Sequence, residues 1–321
     1  MKLRRAGAGW TLAAVACLML SGSQTVRAQV KLEYKFPEGK TLTYRTNANL
    51  FQTITLMGME IQSRENKTVV VTQAIGQRRP DSSLPVEVKV RSLRANLGFH
   101  GGTRLTFDSA KPDTKIDDPD FAPLVELYKL ESAVAYTVVL DGQGKVKAIE
   151  GTEPLREKAA RLDAIAREQI RSRIEPDRLK AQFEQEHRNL PDDPVRPGTS
   201  WERTEIFDFG GQALSFRKKY EYAGTEKRGS KTLDKITCTV LEVKCLPDSS
   251  AATPLKVTKS NLKVDSSEGT ILFDREAGVL VEARERTKVK GTMTFSGGGT
   301  DTSSQTELTV QNNTQLQATA Q

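Results

Sequence analysis

Residues 41–75 read TLTYRTNANLFQTITLMGMEIQSRENKTVVVTQAI. Thr, Val, Ile and Tyr are frequent, polar and apolar residues alternate, and the run breaks only at Gly58. That pattern predicts two long strands meeting at a turn, hence an antiparallel hairpin. Leu56, Met57 and Met59 surround the glycine, although a turn at a sheet edge is normally polar. Methionine adapts to irregular apolar partners. Either sheet curvature folds this turn against a helix within 153–174, or the turn is the apolar lip of a cavity or a protein contact patch. Leu56, Met57 and Met59 are therefore the candidate ligand or partner contacts.

The same signature extends over residues 30–109, with breaks at Pro37-Glu38-Gly39, Arg79-Pro80-Asp81 and His100-Gly101-Gly102. Such spacing suits an antiparallel meander. Phe121, Leu124, Val125 and Tyr128 share one face of a short helix expected over 119–131. Asp118 or Asp120 serves as its N-cap or first-turn acid. The acidic run Asp113, Asp117, Asp118 and Asp120 lacks the spacing and closing Glu of a calcium loop. AYTVVL, the turn DGQG and KVKAIEG follow as a hairpin.

Residues 153–190 change period. Leu155, Ala159, Leu162, Ala166, Ile170 and Ile174 mark an amphipathic helix that Glu175-Pro176 ends. Leu179 and Phe183 carry a second, shorter helix, and Pro191, Pro194 and Pro197 stiffen an extended connector. Strand-like runs return over 200–311. The two β-rich parts echo each other. Pro37-Glu38-Gly39 opens one and Pro197-Gly198 the other, and VVLDGQGKVKAIEG at 138–151 parallels ILFDREAGVLVEAR at 271–284. Duplication explains the echo, and so does turn chemistry alone. The expected fold is mainly β (α+β), with two curved antiparallel β-sheet halves joined by a helical segment. The expected segments are a leader at 1–28, β-rich halves at 29–152 and 191–311, the helices at 153–190 and a disordered tail at 312–321.

Lys2, Arg4 and Arg5, the apolar run Trp10–Leu20 and Val26-Arg27-Ala28 have the layout of a signal peptide cut after Ala28. The rival reading acylates Cys17. Removing Lys2, Arg4, Arg5 and Arg27 takes the formal charge from +7 to +3. No basic stripe interleaved with aromatics remains, so nucleic acid is not an expected partner. No later run approaches a membrane span. Cys238 and Cys245 lie seven residues apart on one predicted strand, on opposite faces and too distant to pair unless the strand breaks. His100, placed in a loop, and His187, placed on the polar side of a helix, are the only histidines. No zinc spacing and no nucleophile elbow appears. No cofactor is expected, and enzyme activity is not.

LEYKFPEGKTLTY, LTFDSAKPD, DGQGKV, LPDDPVRPGTSW and GTILFDREAGVLVEA occur in this order. That succession resembles an uncharacterised family of secreted, planctomycete-type bacterial proteins, domain of unknown function 6263. A looser similarity is to lipoprotein-carrier-like folds, which would imply a curved sheet cupping an acyl chain against helices. The expected function is non-catalytic binding of an apolar or amphipathic ligand in the cell envelope. A lipid, another apolar ligand or an envelope protein is the expected partner. The alternatives are a structural or interaction module and, last, a hydrolytic enzyme.

Overall fold

The computed structural model describes residues 29–112, 118–162, 164–171, 173–208, 213–246, 256–297 and 300–317. The leader, Asp113 and Asp117 fall outside them. Among the described residues twelve strands form one sheet: β1 (Thr41–Leu56), β2 (Met59–Ile75), β3 (Leu84–Phe99), β4 (Arg104–Asp108), β5 (Ala135–Leu140), β6 (Val146–Glu150), β7 (Ser200–Asp208), β8 (Ala213–Arg228), β9 (Lys231–Leu246), β10 (Lys256–Asp274), β11 (Val279–Gly297) and β12 (Thr300–Leu316). The spatial order is β6-β5-β3-β2-β1-β12-β11-β10-β9-β8-β7, with β4 beside the outer half of β3. Every pairing is antiparallel and the sheet is not closed, so β6 and β7 are its edges.

The opening hairpin is as long as its alternation indicated. β1 and β2 pair without interruption from Thr41↔Ala74 to Leu56↔Met59. Met57 (φ 50°) and Gly58 (φ 82°) make the two-residue turn, both in the left-handed region that tight hairpins require.

The expectation of two separate sheets is corrected. The halves fuse through β12, which pairs with β1 on one side and β11 on the other. The tail expected to fray from 312 continues β12 as far as Leu316, opposite Tyr44. Its polar side chains misled the reading, because both neighbours saturate its backbone.

The internal echo is structural. β6-β5-β3-β2-β1 and β11-β10-β9-β8-β7 run in the same order. Their opening turns make the same three backbone hydrogen bonds. The Gly39 N–H donates to Ile75 C=O (2.9 Å) and the Gly198 N–H to Tyr222 C=O (2.8 Å). Ile75 N–H donates to Lys40 C=O and Tyr222 N–H to Thr199 C=O, while Lys40 N–H and Thr199 N–H donate to Pro37 and Arg196 carbonyls. Turn chemistry alone would not repeat the long-range pair.

A single turn of tighter helix at 119–121 leads into α1 (Ala122–Ser132), and the Asp118 carboxylate accepts the Asp120 N–H. The long helix expected over 153–174 is instead α2 (Glu153–Ala159) and α3 (Ala164–Arg171). A straight helix of that length would run about 33 Å. Bending it brings Leu155, Ala159, Ile170 and Ile174 together against Leu130 and Val134 at the end of α1. Packing, not local propensity, sets that break. α4 (Pro176–Glu186) follows, with Pro176 in its first turn.

One face of the sheet carries the helices and the core. Leu93, Ala95, Leu105 and Phe107 pack against Val125 and Tyr128 of α1. Ile75, Leu84, Val86, Val138 and Leu140 pack against Phe183 of α4. In the second half the entering segment takes that place, with Leu32 against Tyr220, Tyr222, Ile236 and Phe273. This is the inner face. The cysteine geometry is also corrected. The β8–β9 register shifts between Lys218↔Val240 and Arg217↔Glu242, leaving Leu241 as an extra, exposed residue. The bulge reverses the alternation, so Cys238 and Cys245 both face inward, and both are free thiols.

Candidate ligand-binding hollow

α4 bridges the two sheet edges. It packs on β6. On its other side the Gln185 amide caps β7, donating to Ile206 C=O (3.1 Å) and accepting Ile206 N–H (2.7 Å). Leu179, Phe183 and Glu186 stand at i, i+4 and i+7, so they share its inward face. Leu179 and Phe183 are 2% and 3% exposed, yet Glu186 is exposed to water. An inward side chain that stays wet is what a hollow between helix and sheet would produce.

Protein atoms crowding the Glu186 carboxyl raise it above the usual range although the side chain still reaches water; Glu205 adds to the rise, while Gln182 and Arg173 oppose it. Tyr34 and Tyr136 both feel the Glu186 charge. His187, expected on a polar side, instead packs among Tyr34, Phe36 and Phe183, with ring centroids 4.1–5.1 Å away. Its Nδ1–H donates to Phe183 C=O (2.7 Å), and burial lowers its pKa to about 4. The imidazole is neutral and structural. His100 sits in the β3–β4 turn, exposed.

All six tyrosines face inward. Tyr34 donates to Asn189, Tyr128 to Glu65, Tyr220 to Glu205 and Tyr222 to Asp234. Tyr44 and Tyr136 have no hydrogen-bond partner among the described residues, and loss of water raises both hydroxyl pKa values. On β1 and its two neighbours the inner wall is only half-buried at Val69 and Val71 of β2, Ala48 and Leu50 of β1, and Val310 and Thr314 of β12. Further along, Leu50 and Val310 merge into a packed cluster with Leu214, Phe216, Val243, Val289 and Leu308.

The inner face also holds ion pairs. Lys67 meets Glu131 at 2.7 Å. Lys218, 4% exposed, meets Glu205 at 2.7 Å and Glu285 at 2.9 Å, and Cys238 donates to Glu285. The two carboxylates hold the Lys218 ammonium above its ordinary pKa despite burial. Burial and Glu285 push the Cys238 thiol up, so it stays protonated and unreactive. The geometry is that of a satisfied structural network. Among the described residues no group of three or more His, Cys, Asp or Glu could hold a metal ion.

The residues singled out from the sequence lie elsewhere. Leu56 and Met59 close the β1–β2 ladder, with Met57 at the corner. Met57 is 85% and Met59 65% exposed, so the turn does not pack against a helix, which corrects one of the two expectations. With exposed Ile61 and Phe99 they form an apolar rim. Tyr44 is twelve residues away on β1, about 40 Å along an extended strand. Tyr44, Tyr136 and Glu186 escaped the sequence reading. The signal for Glu186 was present, since it continues the Leu179–Phe183 stripe, but acidic residues are ordinarily assigned to the wet face.

Residues 81–234 match the model of a family described as "Family of unknown function (DUF6263)". The resemblance drawn from the motifs is shown over that segment. The DUF6263 match runs from before β3 into β9 and takes in α1–α4, Tyr136 and Glu186. No curated protein matches the chain significantly. Among solved structures, one described as lipid–protein interactions in lipovitellin is 9% identical at a TM-score of 0.44, covering 88% of this chain and 26% of that one. The chain thus spans about a quarter of that protein. DynF from the dynemicin biosynthesis pathway of Micromonospora chersina is 10% identical at 0.19, covering 89% and 86%. An outer membrane channel from Pseudomonas putida F1 is 7% identical at 0.22, covering 89% and 98%. Likenesses this distant carry no functional argument. No helix among the described residues is long and apolar enough to cross a membrane.

Proposed function

We propose that the protein is an exported, non-catalytic carrier or receptor that holds an apolar or amphipathic ligand in the hollow between the sheet and α4. The wet yet inward-facing Glu186, and an inner face left half-buried at Val69, Ala48, Leu50 and Val310, support this reading. Burial of ligand surface is the driving force. A ten-carbon chain gains roughly 8 kcal/mol at about 0.8 kcal/mol per methylene. Association costs at least about 4 kcal/mol, leaving at most about 4 kcal/mol, so a millimolar or weaker affinity is expected for so simple a probe. The test titrates residues 29–321 with a fluorescent apolar probe and analyses co-purifying small molecules by mass spectrometry. Saturable one-site binding is expected, weakened about tenfold or more when Ala48→Trp fills the wall. A wild-type protein with no saturable site refutes the reading.

The exposed rim of Met57, Met59, Ile61 and Phe99 favours a second reading, contact with an envelope protein. Under it, serine at Leu56, Met57 or Met59 abolishes partner capture and leaves probe binding intact.

A further inference from the structure

We infer that Tyr44, Tyr136 and Glu186 form a head-group subsite that takes the ammonium of a cationic amphiphile, whose apolar body lies along the β1–β12 wall. The inference rests on reading the hollow as a ligand site and adds what the ligand's polar end must be. Glu186 accepts only the Gln182 amide at 2.9 Å and meets no cation among the described residues. The cations nearby are engaged. Arg173 lies 3.9 Å from Glu131, Lys67 pairs with the same carboxylate, and Lys218 is held by Glu205 and Glu285. Glu205 acts on Glu186 as a second negative charge. An anionic head group would therefore meet repulsion, and a neutral one would leave the carboxylate unanswered.

The tyrosines complete the case. An ammonium is attracted to aromatic faces, and more strongly where water is partly excluded. Tyr136 packs in one cluster with Phe183, one turn before Glu186, Tyr34 lies edge-on to the His187 ring at 4.6 Å, and Tyr44 pairs across the ladder with Val71 of the same cluster. Among the described residues the Tyr44 and Tyr136 hydroxyl oxygens have no protein donor, so they can accept from an N–H or contact N-methyl groups. With its carboxyl raised, Glu186 loses its charge at a higher pH than an ordinary glutamate, and a cation held there is released as pH falls.

The probes are n-decyltrimethylammonium and n-decyl maltoside, equal in chain length, titrated calorimetrically below their micellar concentrations into residues 29–321. Wild type should prefer the cation by about tenfold or more, the factor that 1.4 kcal/mol represents. Glu186→Gln should abolish that preference, leaving maltoside affinity and the melting temperature unchanged. Wild-type preference should also decline between pH 7 and pH 4.5. That second readout does not depend on the variant folding. Equal affinity for the two probes, or a preference that survives Glu186→Gln, overturns the subsite while the hollow stands. Binding of neither probe overturns the hollow as well.

Discussion

Replacing Lys218 with Met tests what holds the curl of the sheet. Lys218 on β8 reaches Glu205 on β7 and Glu285 on β11, crossing β9 and β10. The crossing is possible because Gly269 on β10 has no side chain, and a Cβ there would stand 2.2 Å from Cys238 Sγ. Methionine keeps the stem's volume and removes the charge, leaving two carboxylates and the Tyr220 hydroxyl clustered without a cation. Breaking a buried pair by removing one partner costs about 3–5 kcal/mol. Glu285 keeps a quarter of its side chain exposed and can rehydrate, which places the expectation near 3 kcal/mol. Equilibrium denaturation at pH 7 measures it. The triple variant Lys218→Met, Glu205→Gln, Glu285→Gln should recover at least half of the loss, since the uncompensated charge is then gone. A single-variant cost below about 1 kcal/mol, as for a surface pair, would refute the reasoning.

Gly269→Ala should destabilise by about 1–3 kcal/mol through overpacking against Cys238 and Glu285, read by thermal melting, and Cys238→Ala in the same chain should relieve most of it. His187 titrates near pH 4 folded against 6.5 unfolded. Its stabilising contribution, at most about 3 kcal/mol, is therefore complete above pH 6.5 and lost as pH falls towards 4; His187→Gln should flatten the stability–pH slope in that window. Met57 occupies a left-handed position where Asn is favoured before Gly, so Met57→Asn should raise stability by about 0.5 kcal/mol in denaturant unfolding. If the rim contacts a partner, the same change weakens that contact.

The strands were legible because their information is local. Alternation in 41–75 and turn residues at Gly58, Gly144 and Gly278 place hairpins without any long-range term. What was not legible is how hairpins associate. Asn312–Leu316 look like a tail, and only the long-range ladder to β1 makes them strand. Leu241 looks like one more residue of β9, and only the facing β8 makes it a bulge. The site was hidden for the same reason. Met57 attracted notice as an apolar residue in a turn, a contrast visible in one dimension. Glu186 is unusual only once α4 is laid over the sheet and its carboxylate is found on the side that Leu179 and Phe183 bury.

The repeated order of the sheet says why the hollow lies where it does. Two equivalent five-strand units present two equivalent junctions. β12 fills the one between β1 and β11, and its inner residues Ser304, Thr306 and Leu308 are buried. At the other junction, between β6 and β7, stands α4. A helix satisfies its own backbone, so it can bridge two edges with one glutamine and one apolar stripe where a strand must pair along its length. It also presents a residue inward only every third or fourth position, which leaves space unfilled beside the sheet. The unit that repeats supplies the scaffold, and the element that breaks the repeat leaves room for the proposed hollow. Mutations that stiffen the β1–β12 junction should change stability, whereas under the carrier reading those on α4's inward face at Glu186 should change ligand choice.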